Sequence, residues 1–161
     1  MKTMKKFIYL LLALPLLALT ACSDDDDLPD VNLTTEYTGA TSVDGVLYVV
    51  QGEPFVINSV TATPVREGKK AAVLNVTYGL DGWVVGSSVV APFTVEFDTS
   101  VLELGKHILS LSMNIAEEGC EPAIGYYATT MQVVASADDI PTPSETETQG
   151  TFTGHASTQE Q

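Results

Sequence analysis

The sequence predicts an all-β fold: a two-sheet sandwich of about seven or eight antiparallel strands, flanked by disordered N- and C-terminal segments. Three observations predict it. Short runs rich in β-branched and aromatic residues alternate apolar with polar side chains, the period-two pattern of a sheet with one wet face. Turn-forming residues interrupt these runs about every 8–12 residues. No stretch holds the 3.6-residue apolar period of an amphipathic helix over three turns.

The elements follow in order over residues 43–137. Val46-Leu47-Tyr48-Val49-Val50 is a β-branched and aromatic run launched by Asp44-Gly45. Phe55-Val56-Ile57 leads through Val60 and Thr63 and stops at Pro64, whose missing N–H cannot serve a ladder. Ala72 to Tyr78 is expected to place Leu74, Val76 and Tyr78 on one face and Asn75 and Thr77 on the other. Asp81-Gly82 is a tight-hairpin signal, answered by Trp83-Val84-Val85. Gly86-Ser87-Ser88 loosens the chain before Val89-Val90. Phe93 to Asp98 alternates, with Phe93, Val95 and Phe97 inward. Leu102-Glu103-Leu104 makes a short turn at most. Ile108 to Ile115 alternates again, with Leu109, Leu111, Met113 and Ile115 on one face, and Ile124 to Val134 is the last strand expected.

The flanks have a different composition. Residues 22–42 read as an acidic tether, and residues 138–161 as a polar tail of small, acidic and proline residues, too poor in apolar side chains to offset the entropy of ordering. A Ser/Thr-rich tail with prolines also suits an O-glycosylated stalk.

The first 21 residues are a secretory signal: Lys2, Lys5 and Lys6, then an apolar run from Phe7 to Ala21, shorter than a bilayer-spanning helix. Its exit, Leu19-Thr20-Ala21-Cys22, resembles the lipobox of bacterial lipoproteins, which implies cleavage before Cys22 and acyl chains on that cysteine. The next residues, Ser23, Asp24, Asp25, Asp26 and Asp27, resemble the export signal of Bacteroidetes surface lipoproteins. The resemblance implies an outer-membrane, lipid-anchored protein facing outward. The plainer reading of the acidic run is a solvated linker that extends by self-repulsion.

Charge narrows the partners. The chain of 161 residues carries 21 acids and 7 Lys or Arg. Beyond residue 21 only Arg66, Lys69, Lys70 and Lys106 oppose those acids, a net of −17. Nucleic-acid phosphates and anionic lipid surfaces would repel it, so the expected membrane contact runs through lipid on Cys22. With Cys22 acylated, Cys120 lacks a partner for a disulfide framework, and the acids around it disfavour a reactive thiolate.

Leu104-Gly105-Lys106-His107-Ile108-Leu109-Ser110-Leu111 resembles the entry to strand F of immunoglobulin-like and fibronectin-III-like domains. There a leucine, a glycine turn and an aromatic precede alternating apolar residues. The aromatic is commonly a tyrosine bonded back to the turn, a place His107 takes here. The resemblance implies an immunoglobulin-like sandwich and no activity.

Candidate chemistry is sparse. His107 shares parity with Leu109 and Leu111 and reads as half-buried, bonded to loop backbone, rather than as a ligand; His155 falls in the tail. Two separated histidines without nearby Cys or Asp at ligand spacing do not make a zinc site, and no metal or cofactor is expected. Ser87 and Ser88 follow Gly86 without a nucleophile motif, and Glu96 and Asp98 on one strand face read as solvated acids. Asp44 and Asp98 belong to no calcium-loop pattern. Aromatics are the better hint of ligand binding. Trp83 follows a hairpin glycine, although a sandwich's lone Trp is more often core, and one of the adjacent Tyr126 and Tyr127 must point outward.

The expectation is a non-enzymatic surface lipoprotein displaying an immunoglobulin-like domain for binding or assembly with an extracellular glycan or an envelope protein. The alternative is a glycan-binding accessory lipoprotein of a polysaccharide-uptake system, which calls for Trp83 and one of Tyr126 or Tyr127 exposed on the same face. A fibre subunit would need an unpaired edge strand and an apolar extension to fill a neighbour's sheet.

Overall fold

The computed structural model describes residues 28–145, 148–155 and 157–158. The signal, Cys22 and the Ser23–Asp27 run therefore lie outside the described residues. Those described form a two-sheet β-sandwich without an α-helix. One sheet has the order β10-β1-β4-β7, from β1 (Val31–Thr38), β4 (Phe55–Pro64), β7 (Val95–Phe97) and β10 (Thr151–His155). The larger has the order β2-β3-β9-β8-β5-β6, from β2 (Thr41–Val43), β3 (Val46–Val50), β5 (Ala71–Leu80), β6 (Trp83–Ser88), β8 (Gly105–Glu117) and β9 (Ala123–Val134); β11 (Ser157–Thr158) adds to β9. All pairings are antiparallel except β3 with β9.

The core lies between the sheets and is built by alternation. On β8, Leu109, Leu111, Met113 and Ile115 are buried, as their period predicts. They meet Val31, Leu33 and Tyr37 of β1, Phe55, Ile57 and Val60 of β4, and Met131 and Val133 of β9 in one apolar cluster. Phe55 stacks on Phe97 at 5.1 Å, and Tyr78 meets Phe97 edge-on at 6.3 Å. The Tyr78 hydroxyl donates to the Phe93 carbonyl, and burial pushes its pKa up to about 12. Both tight hairpins form at the Asp-Gly pairs. Asp44 and Gly45, and Asp81 and Gly82, all have positive φ, the geometry that matches the right-handed twist of the flanking strands.

The structure departs from the sequence-based expectation in four places. The first strand, β1, lies inside the segment expected to be tether: Val31, Leu33, Thr35 and Tyr37 are buried on one side, a pattern masked by interleaved Thr, Asn and Glu. The tail expected to be disordered contains β10, paired with β1 from Asn32↔His155 to Glu36↔Thr151. Its Phe152 stacks on Tyr127 at 4.9 Å and on Tyr37 at 5.8 Å. Leu74, expected inward with Val76 and Tyr78, is 47% exposed. The β5–β8 register shifts between Val73 and Asn75, so Leu74 is the extra residue of a bulge and Val73 faces Ile115 instead. Trp83, expected in the core, is 79% exposed at the tip of the β5–β6 hairpin.

The two ends of the sandwich differ. The chain enters at one end, where Pro29 is buried, the Asp30 N–H donates to Glu117 Oε2 (2.7 Å) and the Val65 N–H donates to the Asp30 carbonyl (2.9 Å). The β4–β5 and β8–β9 connections stand at this end. The Asp81-Gly82 hairpin, Gly39-Ala40 and the Gln51–Pro54 turn stand at the other.

Candidate functional site

Four regions hold the side chains capable of chemistry or recognition. The most defined polar arrangement is at the hairpin end. Asp81 ends β5 and spans the gap to the start of β8: its Oδ1 accepts the Ile108 N–H at 2.8 Å, and its Oδ2 lies 2.6 Å from His107 Nδ1. The other ring nitrogen of His107, Nε2, lies 2.8 Å from the Glu103 carbonyl. Both ring nitrogens therefore face acceptors, which favours the doubly protonated imidazolium. The Glu103 carbonyl and the Asp81 carboxylate together hold the His107 pKa above its ordinary value despite partial burial. Burial pulls the Asp81 carboxyl up, but the Ile108 N–H and His107 outweigh it and hold it below its ordinary value. With both nitrogens engaged, His107 clamps the β5–β6 hairpin to β8. It is half-buried and bonded to loop backbone, as its parity suggested, and bonded in addition to Asp81.

A groove of about 670 Å³ opens at the same end of the sandwich, away from Asp30. Thr41, Tyr48, Gln51, Glu53 and Ser136 supply its polar lining, and Gly39 its floor near Pro54. Gly39 has φ +82°, and a Cβ there would fall 1.8 Å from the Pro54 carbonyl oxygen, so only glycine lets the chain pass. Hydroxyls, a phenol and one carboxylate suit hydrogen-bonded recognition of a polar ligand. The sequence did not reveal this set, because three separate segments, 39–41, 48–53 and 135–140, come together only through the β3–β9 pairing and the turns beside it.

The aromatics do not form one platform. The row Trp83–Leu80–Leu109 lies on the core-facing side of the larger sheet, with Trp83 projecting past its rim. The row Ser87–Thr77–Ser112–Tyr126 lies on the outer side, where Tyr126 is 51% exposed. Tyr127 turns inward, half-buried against Phe152, and burial raises its pKa above the ordinary value. It also lies over Gly154, where a Cβ would come 2.5 Å from its ring. The two exposed aromatics thus face opposite ways, and the third is a packing residue.

At the entry end, Glu117 is buried while Cys120 is half-buried. Cys120 Sγ lies 3.8 Å from Glu117 Oε2 and 3.8 Å from Arg66 Nη1. Glu96 and Asp98 are exposed, with Asp98 capping a short 3-10 turn through the Ser100 N–H at 3.1 Å. Ser87 and Ser88 lie on β6, and Ser88 Oγ bonds the Val90 backbone, the work of a local turn. Asp44 sits in its hairpin. His155 ends β10, and its side chain is outside the described residues. No group of three or more His, Cys, Asp or Glu residues is placed to hold a metal among the described residues.

No protein family model matches the chain, and no curated protein matches it. Among solved structures it is similar to the fibronectin(III)-like modules of Clostridium thermocellum CbhA. The TM-score is 0.36 and the identity 20%, covering 58% of this chain and 92% of that one.

Proposed function

We propose that this chain is a non-enzymatic, lipid-anchored surface protein whose immunoglobulin-like sandwich serves binding or assembly outside the cell. The observation that carries the proposal is the join of Leu19-Thr20-Ala21-Cys22 to Ser23-Asp24-Asp25-Asp26-Asp27, a cleavage-and-acylation motif followed by an acidic export run. The fold supports it physically. The sandwich is already engaged at Pro29 and Asp30, seven and eight residues after Cys22. Such a leash spans at most about 25 Å. It would hold the Asp30 end toward the membrane and present the polar groove and the Asp81-Gly82 hairpin outward. Two or three acyl chains give durable attachment, because each buried methylene contributes about 0.8 kcal/mol.

The glycan-uptake alternative loses its platform, since Trp83 and Tyr126 occupy opposite sides of one sheet. The outward groove remains a place for a polar partner. Mass spectrometry of the N-terminal peptide tests the anchor: an acylated Cys22 is expected, and an unmodified Cys22 thiol ends the proposal. Protease added to intact cells then tests display. Digestion of the sandwich is expected, and protection until the cells are lysed would place it inside.

A further inference from the structure

The groove over Gly39 keeps polar groups that the fold itself does not use. Gln51 Nε2 is spent on the Leu102 carbonyl at 2.6 Å, and the Ser136 hydroxyl on Asp139 Oδ2 at 3.1 Å. The Thr41 hydroxyl, the Tyr48 phenol and the Glu53 carboxylate have no hydrogen-bond or ion-pair partner among the described residues. Glu53 is the only charged side chain in the described lining. Its main chain is pinned on both sides: the Glu53 N–H donates to the Val50 carbonyl, and the Glu53 carbonyl accepts from the Thr99 hydroxyl. The turn is therefore fixed by the fold while the carboxylate is left to solvent.

Charge selects the ligand. Glu53 also borders a second hollow, of about 450 Å³, which brings in Glu96 and Asp98. No Lys or Arg lines either hollow among the described residues. Of the four basic residues beyond residue 21, Arg66, Lys69 and Lys70 lie on the β4–β5 connection at the opposite end of the sandwich. The fourth, Lys106, ends the row Thr41–Tyr48–Gln132–Lys106, two strands and about 10 Å from Tyr48, and forms no ion pair with Glu53. An anion is thus repelled, whereas a cation gains from Glu53 and from the field of a chain with net charge −17. The rest of the lining is apolar: Val50, Ala135, Ala137 and Ile140 flank the polar groups. A methylene stem with a charged head matches that division, and lysine and arginine side chains are built this way.

We propose that the groove takes a lysine or arginine side chain from a basic segment of a partner protein, its stem against Val50 and Ile140 and its charged head at Glu53. The volume of about 670 Å³ falls within the range of ligand sites, about 300–1,000 Å³, and leaves room for main chain on either side of the basic residue. The inference deepens the binding reading above and rests on it, but not on the lipid anchor. Its failure would leave the acylation and protease tests as they stand.

The test uses the chain from residue 22 onward with Cys22→Ser, which keeps every described residue. Amide NMR spectra are followed as acetyl-Gly-Lys-Gly-amide, or its arginine counterpart, is added at about 150 mM salt, where distant charges are screened. Saturable shifts at residues 39–41, 51–53 and 135–137 are expected, with a Kd of about 1 mM because one exposed ion pair is weak. Glu53→Gln should weaken binding about three- to fivefold with an unchanged circular dichroism spectrum. Glu118→Gln, which removes an exposed acid at the entry end, should leave it unaltered. Equal binding of the Nζ-acetylated lysine peptide, which keeps the stem and loses the charge, would overturn the proposal in favour of a neutral ligand. So would equal losses in the two variants, shifts spread over the surface acids without saturation at the groove, or no shift up to about 20 mM peptide, well above the expected Kd.

Discussion

At the scale of single residues, the fold is held by buried side chains whose neighbours leave them little freedom, and by one polar clamp that responds to pH. His107 has its pKa raised by the Glu103 carbonyl and by Asp81, so the protonated ring is bound more tightly in the folded chain than in the unfolded one. The stability it adds is complete below its unfolded value of 6.5 and is lost as the pH rises through the raised folded value. Asp81 behaves oppositely: its contribution is present above 3.8 and fades as the pH falls through its lowered folded value. Urea unfolding from pH 5 to pH 9 should therefore show a decline on the alkaline side, modest at about 1 kcal/mol or less because the Asp81 carboxylate is largely in water. His107→Gln should flatten that decline, and an unchanged slope would rule the clamp out. Two leucines give a second contrast. Leu111 is fully buried, and Leu111→Ala should cost about 2–5 kcal/mol. Leu74 rides on a bulge in solvent, and Leu74→Thr should stay within about 0.5 kcal/mol in the same assay.

At the scale of elements, the terminal segments matter most. β10 joins the smaller sheet by pairing with β1, while its Phe152 reaches across to Tyr127 of β9 in the larger sheet. β10 thus braces one side of the sandwich. Phe152→Ala removes stacking against both Tyr127 and Tyr37. We expect a loss of about 1–3 kcal/mol and faster amide hydrogen exchange along β1 from Asn32 to Glu36. Exchange in β8 should stay slow below the global limit, because that strand is paired on both sides by β5 and β9. Equal acceleration in β1 and β8 would mean that β10 is no separate brace. Sequence reading located the central strands well because they alternate strictly. It passed over β1, whose apolar residues are interleaved with Thr, Asn and Glu, and β10, which has Phe152 as its one large apolar side chain; the two pair with each other, and β1 with β4.

At the scale of the whole molecule, charge opposes compactness. A net of −17 beyond residue 21 places many like charges on one small sandwich, and the self-repulsion is long-ranged and screened by salt. Raising sodium chloride from about 20 mM to about 500 mM, which shortens the screening length severalfold, should raise the midpoint of thermal unfolding by a few degrees. A fall in the midpoint would show that attractive surface pairs outweigh the repulsion.

The acidic balance, the all-β class and the inward faces of the central strands were legible in the residues themselves, because charge and period-two alternation are local properties of a chain. The Asp-Gly hairpins were legible for the same reason: positive φ is a local demand. Where Trp83 and Leu74 point, which segments border the groove, and that Phe152 ties the tail to both sheets were decided only by the tertiary structure. A hairpin rim, a bulge and cross-sheet stacking each depend on partners far away in sequence, and no local pattern encodes them.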